Sequence, residues 1–141
     1  MLRYAIMGTN WLSHIYYHAI EAAGDQVIAV CSRSPERAEE LGQGKTLVYT
    51  DLDEMLKNPD IDVVYLCIPN VLHADAALRC LRAGKHVLCE KPMAINPLQC
   101  QMMIDAAKEG LLDPNKTIGQ VAYELGFQYP QHFVRFFKRH V

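Results

Sequence analysis

The sequence predicts an α/β fold, a doubly wound parallel sheet in its first part with a helical tail behind it. Three observations predict this. Short apolar or β-branched runs alternate with segments of helical periodicity at close intervals, the pattern of a parallel sheet covered by helices on both faces. Turn residues punctuate the alternation at Gly8, Gly24, Asn58–Asp60 and Gly84. After Gly110 the alternation stops, and no strand follows the last helix of the alternating part.

Residues 2–7 (LRYAIM) form an apolar run ending at Gly8 and read as a buried strand. Residues 11–23 carry Leu12, Ile15, Tyr16, Ala19, Ile20 and Ala23 at helical spacing, with Gly24 as the stop. Residues 26–31 (QVIAVC) are the second strand. Ser34 caps a helix over 35–41 that has Pro35 in its first position. Residues 46–49 are a short third strand, Asp51 caps a helix over 52–57, and Asn58-Pro59-Asp60 is a turn. Residues 61–68 (IDVVYLCI) are the clearest strand. A helix over 73–83 ends at Gly84, 86–89 is the fifth strand, and Pro97 opens a helix running to about Glu109. Right-handed crossovers fix most of the topology. Ligands of such sheets bind beyond the carboxyl ends of the strands. That rim comprises residues 8–13, 32–33, 69–73 and 90–92.

The chain of 141 residues has room for one modest core; half its residues are apolar and 21% charged. A net charge of −2 points neither to nucleic acid nor to a membrane surface as partner of the whole chain. The balance is uneven: residues 111–141 hold four Lys/Arg against two Asp/Glu, whereas the preceding part is acidic. No run has the roughly 18 apolar residues that span a bilayer, and Arg3-Tyr4 leads into a strand rather than a leader's apolar stretch. The five cysteines, Cys31, Cys67, Cys80, Cys89 and Cys100, include no CxxC pair and lie largely in apolar runs. They read as reduced thiols of a cytoplasmic protein. His14 and His18 sit four apart, a metal-capable spacing, but no third ligand is evident and no metal is expected. Met102-Met103 reads as core filling.

The first loop, Gly8-Thr9-Asn10-Trp11-Leu12-Ser13, sets the first glycine of the G-x-G-x-x-G/A dinucleotide fingerprint at Gly8, with Asn10 and Ser13 at the other two positions. The first position needs a tight turn, the second a close approach to pyrophosphate, the third close helix–strand packing. Asn tolerates unusual backbone angles and Ser is small. The helix that follows favours an anion at its amino end; the alternative is a plain strand-to-helix turn. Ser32-Arg33 at the end of the second strand offers donors where an NAD-selecting site often has a carboxylate, which favours NADP over NAD. The alternative there is an Arg that solvates the next helix. Glu90-Lys91-Pro92 stands directly after a buried strand. A lysine there can hydrogen-bond a substrate oxygen or carry its proton, with Glu90 setting its charge and position; the alternative is a surface ion pair.

The strings Pro69-Asn70-Val71-Leu72-His73 and AGKHVLCEKP (83–92), with the Gly8-Thr9 loop and Ser32-Arg33, resemble the glucose–fructose oxidoreductase and inositol dehydrogenase family (Gfo/Idh/MocA) over residues 2–109. The resemblance implies a Rossmann domain and an NAD(P)-dependent hydride transfer to or from a sugar or polyol carbon. It implies pyrophosphate at Gly8, Thr9, Asn10, Trp11 and Leu12, ribose at Ser32 and Arg33, and nicotinamide near Pro69, Asn70, His73, Glu90 and Lys91. Lys91 falls on the family's catalytic-site lysine. Family members continue into further strands and a substrate domain, so the expectation is a truncated Rossmann domain, a cofactor site without a complete substrate site. Its uncovered edge and faces lead us to expect self-association.

Residues 110–141 form a second unit in this reading, with helices over 117–125 and 130–140. Lys116–Phe127 and Gln131–Arg139 resemble the second helix-turn-helix of AraC-type transcription regulators. That resemblance makes Gln128, Tyr129, Gln131, His132 and Arg135 candidates for a DNA groove, and Lys138 and Arg139 for phosphates. A DNA-binding regulator fragment is therefore an alternative reading. Two others are a tail packed on the α/β domain and a chain joined from two genes with neither activity complete.

Overall fold

The computed structural model describes residues 1–111. The helices expected over 117–125 and 130–140, and Gln128, Tyr129, Gln131, His132, Arg135, Lys138 and Arg139, lie outside the described residues.

The elements in chain order are β1 (Arg3–Met7), α1 (Trp11–Ala22), β2 (Gln26–Cys31), α2 (Pro35–Gly42), β3 (Leu47–Tyr49) and α3 (Leu52–Leu56). β4 (Val63–Leu66), a 3₁₀ turn (Asn70–Leu72), α4 (His73–Arg82), β5 (His86–Cys89) and α5 (Pro97–Leu111) follow. The strands form one sheet among the described residues, in the order β3-β2-β1-β4-β5. All pairs are parallel. The α/β class and the parallel sheet are thus as the sequence predicts.

Alternation along the strands divides the core. Ala5, Ala29, Cys31, Val64 and Leu66 face one way, against α3, α4 and Met103 of α5. Ile6, Val30, Tyr65 and Cys67 face the other way, against Tyr17 and Ile20 of α1 and Ala38 and Leu41 of α2. Both sides of the central strands are covered, which is why their sequences read as unbroken apolar runs. A side chain such as Leu66, with no exposed surface, contributes about 1.5–3 kcal/mol through burial.

Side-chain caps open the first three helices; the sequence suggests those of Ser34 and Asp51, and Asn10 adds a third. Asn10 accepts from the N–H groups of Leu12 and Ser13, Ser34 from Arg37, and Asp51 from Glu54. The ladder of β4 is shorter than the apolar run over 61–68. Ile61 and Cys67 are buried outside the paired segment, so the run records burial rather than strand length. α5 passes through Gly110 to Leu111, two residues beyond the helix end the sequence suggests.

An ion-pair cluster closes the amino end of the sheet. Arg3 donates from its backbone N–H (2.8 Å), Nε (3.1 Å) and Nη2 (3.0 Å) to Asp62, and from Nη1 (2.6 Å) to Asp60. Arg3 holds the Asp62 carboxyl below its ordinary range, chiefly through the side-chain hydrogen bond. A carboxylate depressed on folding adds stability above its unfolded value, near 4, that is lost as pH falls through the folded value. Asp62→Asn is therefore expected to destabilise the protein at pH 7 and to make less difference at pH 3. Urea denaturation at the two pH values checks this, and an equal effect at both contradicts it.

Candidate functional site

The strand register levels one end of the sheet. Met7 pairs with both Cys31 and Leu66, Cys31 with Tyr49, and Leu66 with Cys89. The residues that follow, Gly8, Ser32, Thr50, Cys67 and Glu90, therefore leave the sheet on one row. Strand order reverses between β1 and β4, and in open α/β sheets ligands bind at the crevice this creates. An open cleft of about 600 Å³ lies there, lined by residues from the ends of β1, β2 and β4, with Thr50 and Asp51 after β3. Two smaller hollows, about 320 and 550 Å³, lie between α4 and α5 and at the opposite end of the sheet. Neither touches the row of loops.

Six of the residues singled out in the sequence meet in this cleft: Gly8, Thr9, Asn10, Ser32, Arg33 and Pro69. Gly8 has φ +105°, and a Cβ there would lie 2.1 Å from the carbonyl oxygen of Cys67. Only glycine permits both that angle and that approach. The Thr9 and Ser32 hydroxyls are 3.3 Å apart, joining the β1 and β2 loops, and Ser32 Oγ also accepts from the N–H of Ser34 at 3.2 Å. Ser13, at the third fingerprint position, is fully buried where α1 meets the sheet.

Asn10 does more than tolerate the second glycine's place. Its Oδ1 accepts from the N–H groups of Leu12 (2.9 Å) and Ser13 (3.2 Å) and from the thiol of Cys67 (3.1 Å). Its Nδ2 donates to the carbonyl of Cys67 at 3.0 Å.

Other expected residues stand elsewhere. Trp11, the first residue of α1, is 73% exposed, and Leu12 packs against the core beneath α1. Asn70 opens the exposed 3₁₀ turn. His73 is 1% exposed, and its Nδ1 and Nε2 lie 2.9 Å from the carbonyl oxygens of Pro92 and Ile68. It ties the loop after β4 to the loop after β5 rather than lining the cleft.

Glu90 accepts from the Tyr65 hydroxyl at 2.7 Å and, through its second oxygen, from the backbone N–H of Lys91 at 3.3 Å. The Tyr65 bond is the main reason its carboxyl sits below the ordinary range. Tyr65 is buried and stacks with Tyr16 at 4.3 Å between ring centroids. Burial, and then the Glu90 bond, push the Tyr65 phenol up. Glu90 thus holds Lys91 by the backbone, with its charge anchored on a neutral phenol. Lys91 itself is exposed at the rim, one residue beyond Glu90.

Sequence reasoning missed several residues of the cleft. Arg37 and Arg79 line it beside Arg33. Arg37 follows Arg33 by four positions across the start of α2, a spacing that could have signalled it. Arg79 is already paired with Asp53 (2.7 Å) and Asp75 (3.5 Å). Asp51, the acidic group of the lining, accepts from the N–H of Glu54 as the cap of α3. Cys31 and Cys67 form part of the floor, and burial pushes the Cys31 thiol up to about 11, so it is a neutral wall rather than a nucleophile. The donors that remain, hydroxyls, N–H groups and guanidinium groups, suit a ligand rich in phosphate.

Comparison with known proteins agrees with this geometry. Residues 2–111 match the family described as GFO_IDH_MocA, oxidoreductase family, NAD-binding Rossmann fold. The chain is 43% identical over 126 residues to scyllo-inositol 2-dehydrogenase (NADP(+)) IolU of Bacillus subtilis, covering 83% of this chain and 38% of that protein. It is 39% identical to the 1,5-anhydro-D-fructose reductase of Ensifer adhaerens, covering 77% and 34%. Among solved structures it resembles a 3-ketoreductase from Actinomadura kijaniata in complex with NADP and TDP-benzene, with TM-score 0.73, 32% identity and coverage of 77% and 34%. It also resembles the WlbA dehydrogenase from Chromobactrium violaceum in complex with NADH and UDP-GlcNAcA, with TM-score 0.73, 29% identity and coverage of 78% and 33%. The chain therefore spans about a third of the length of these relatives.

Proposed function

The chain belongs to the Gfo/Idh/MocA oxidoreductase family through its NAD(P)-binding Rossmann domain, and on that premise we propose that its cleft takes NADP in preference to NAD. The observation that carries this reading is the pairing of Ser32 and Arg33 beside the cleft, with Arg37 behind them and no carboxylate at the end of β2. Hydroxyl and guanidinium donors there suit a 2′-phosphate, where an acidic side chain would suit a free 2′-hydroxyl. Relatives on both sides support the wider nicotinamide reading: IolU is named for NADP(+), and WlbA is in complex with NADH. The pyrophosphate then lies against residues 8–10, and the nicotinamide toward Pro69 and the Glu90-Lys91 turn.

The reaction we infer for the whole protein is hydride transfer to or from a sugar or polyol carbon, the substrate class in the names of the first relatives. A nicotinamide held there would supply or accept the hydride. Lys91 is the residue of this chain we assign to the reacting centre. In this reading its side chain holds the substrate oxygen and carries its proton, while Glu90, fixed by Tyr65, keeps its backbone in place. Titration of the purified chain with NADPH, followed by nicotinamide fluorescence, tests the binding step. A saturable change is expected, and none up to about 1 mM, equivalent to roughly −4 kcal/mol, overturns it.

A further inference from the structure

We propose that Asn10 and Cys67 form a clasp that sets the shape of the pyrophosphate loop, making both positioning residues for the dinucleotide; this rests on the cofactor reading above. Four contacts meet in the clasp. Asn10 Nδ2 donates to the Cys67 carbonyl at 3.0 Å, and the Cys67 thiol donates to Asn10 Oδ1 at 3.1 Å. The same Oδ1 caps α1 through the N–H groups of Leu12 and Ser13. The loop is thereby tied at once to the end of β4 and to the start of α1.

The backbone of Cys67 is also the surface on which the loop turns. Its N–H donates to Met7 at 2.9 Å, and its carbonyl oxygen fills the space beside Gly8. A glycine at position 10 would leave the turn free to vary; the Asn10 amide instead reads the position of β4 directly. Because Oδ1 already satisfies the N–H groups of Leu12 and Ser13, a phosphate must be met by the loop upstream of Leu12. The loop therefore has to be held in shape before the ligand arrives. The Cys67 thiol, buried at the cleft floor, has a structural duty in this arrangement: it is a third donor to Asn10 Oδ1 and ties that oxygen to the end of β4.

The test measures NADPH affinity and thermal midpoint on the full chain for Asn10→Ser, Cys67→Ala, Cys67→Ser and the Asn10→Ser/Cys67→Ala double variant. Serine at position 10 keeps a helix-capping oxygen but cannot span to the Cys67 carbonyl. Asn10→Ser is expected to weaken NADPH about tenfold, the worth of a single hydrogen bond. Cys67→Ala should weaken it about threefold in the wild-type background and not at all in the Asn10→Ser background, where the clasp is already lost, since coupled residues are non-additive. Cys67→Ser, which restores a donor, should recover the affinity, with midpoints of all variants close together. Wild-type affinity in Asn10→Ser, or an equal loss from Cys67→Ala in both backgrounds, overturns the clasp while leaving cofactor binding intact. Failure of the wild type to bind NADPH overturns the cofactor reading and the positioning role with it.

Discussion

Gly8→Ala is expected to destabilise the protein by about 3 kcal/mol and to remove NADPH binding. Two effects add. The φ of +105° is one that side-chain-bearing residues rarely adopt, and the new Cβ would stand 2.1 Å from the carbonyl oxygen and 2.8 Å from the carbonyl carbon of Cys67. These are backbone atoms held at the end of β4, so no side chain can swing away to relieve the clash. Either the β1 loop lifts off β4 or the two strands part. Lifting the loop moves Asn10 and breaks its bonds to Cys67, so binding falls even where folding survives. For a domain of this size the thermal midpoint should drop by roughly 10 °C or more, and nicotinamide fluorescence should show no saturable response. Gly110→Ala is the control, because a Cβ there meets nothing within 4 Å. A Gly8→Ala protein that melts and binds as the wild type does would contradict the assigned loop geometry.

Arg33→Ala is expected to weaken NADPH by about tenfold, the order of one charge-assisted hydrogen bond at an exposed site, and to leave NADH within about twofold. The asymmetry arises because the two cofactors differ only at the 2′ position, which the proposed binding mode sets beside Ser32 and Arg33 of the cleft lining. The NADPH affinity should also fall more steeply with salt in the wild type than in the variant, since a surface guanidinium–phosphate pair is screened. Parallel titrations with both nucleotides decide the matter. Equal losses for NADPH and NADH would remove the NADP preference and leave a general nicotinamide site.

Much of this was readable from the residues alone, for identifiable reasons. The run VVYLC marks a central strand because both of its faces are covered, and its neighbours in the sheet follow from the crossover rule. Ser34 and Asp51 announce helix starts because their side chains accept from the first free N–H groups; the same role of Asn10 emerges only in the structure. Spacing also placed Gly8, Ser32, Arg33 and Pro69 on one rim. It could not say where side chains turn once there. His73 shares its segment with Pro69 but faces inward between two carbonyl groups. Glu90 precedes Lys91, but its carboxylate turns to Tyr65, a residue 25 positions earlier. Cys67 passed as one more apolar residue of a strand, and only the packing of the β1 loop against β4 gives it a role.

The position of β1 bears on how the domain comes to be. The strand that precedes the other four of the sheet is the central one, and its second neighbour, β4, begins at Val63. The Arg3–Asp62 bonds join residues 59 apart. Long loops must therefore close before the middle of the sheet exists, the kind of non-local topology that slows folding. On the ribosome, β1 is committed to waiting: until β4 has left the exit tunnel it has an open hydrogen-bonding edge, and the ligand crevice between the two strands cannot yet form. The crevice between them is thus assembled only once two segments far apart in sequence, Arg3–Met7 and Val63–Leu66, have met.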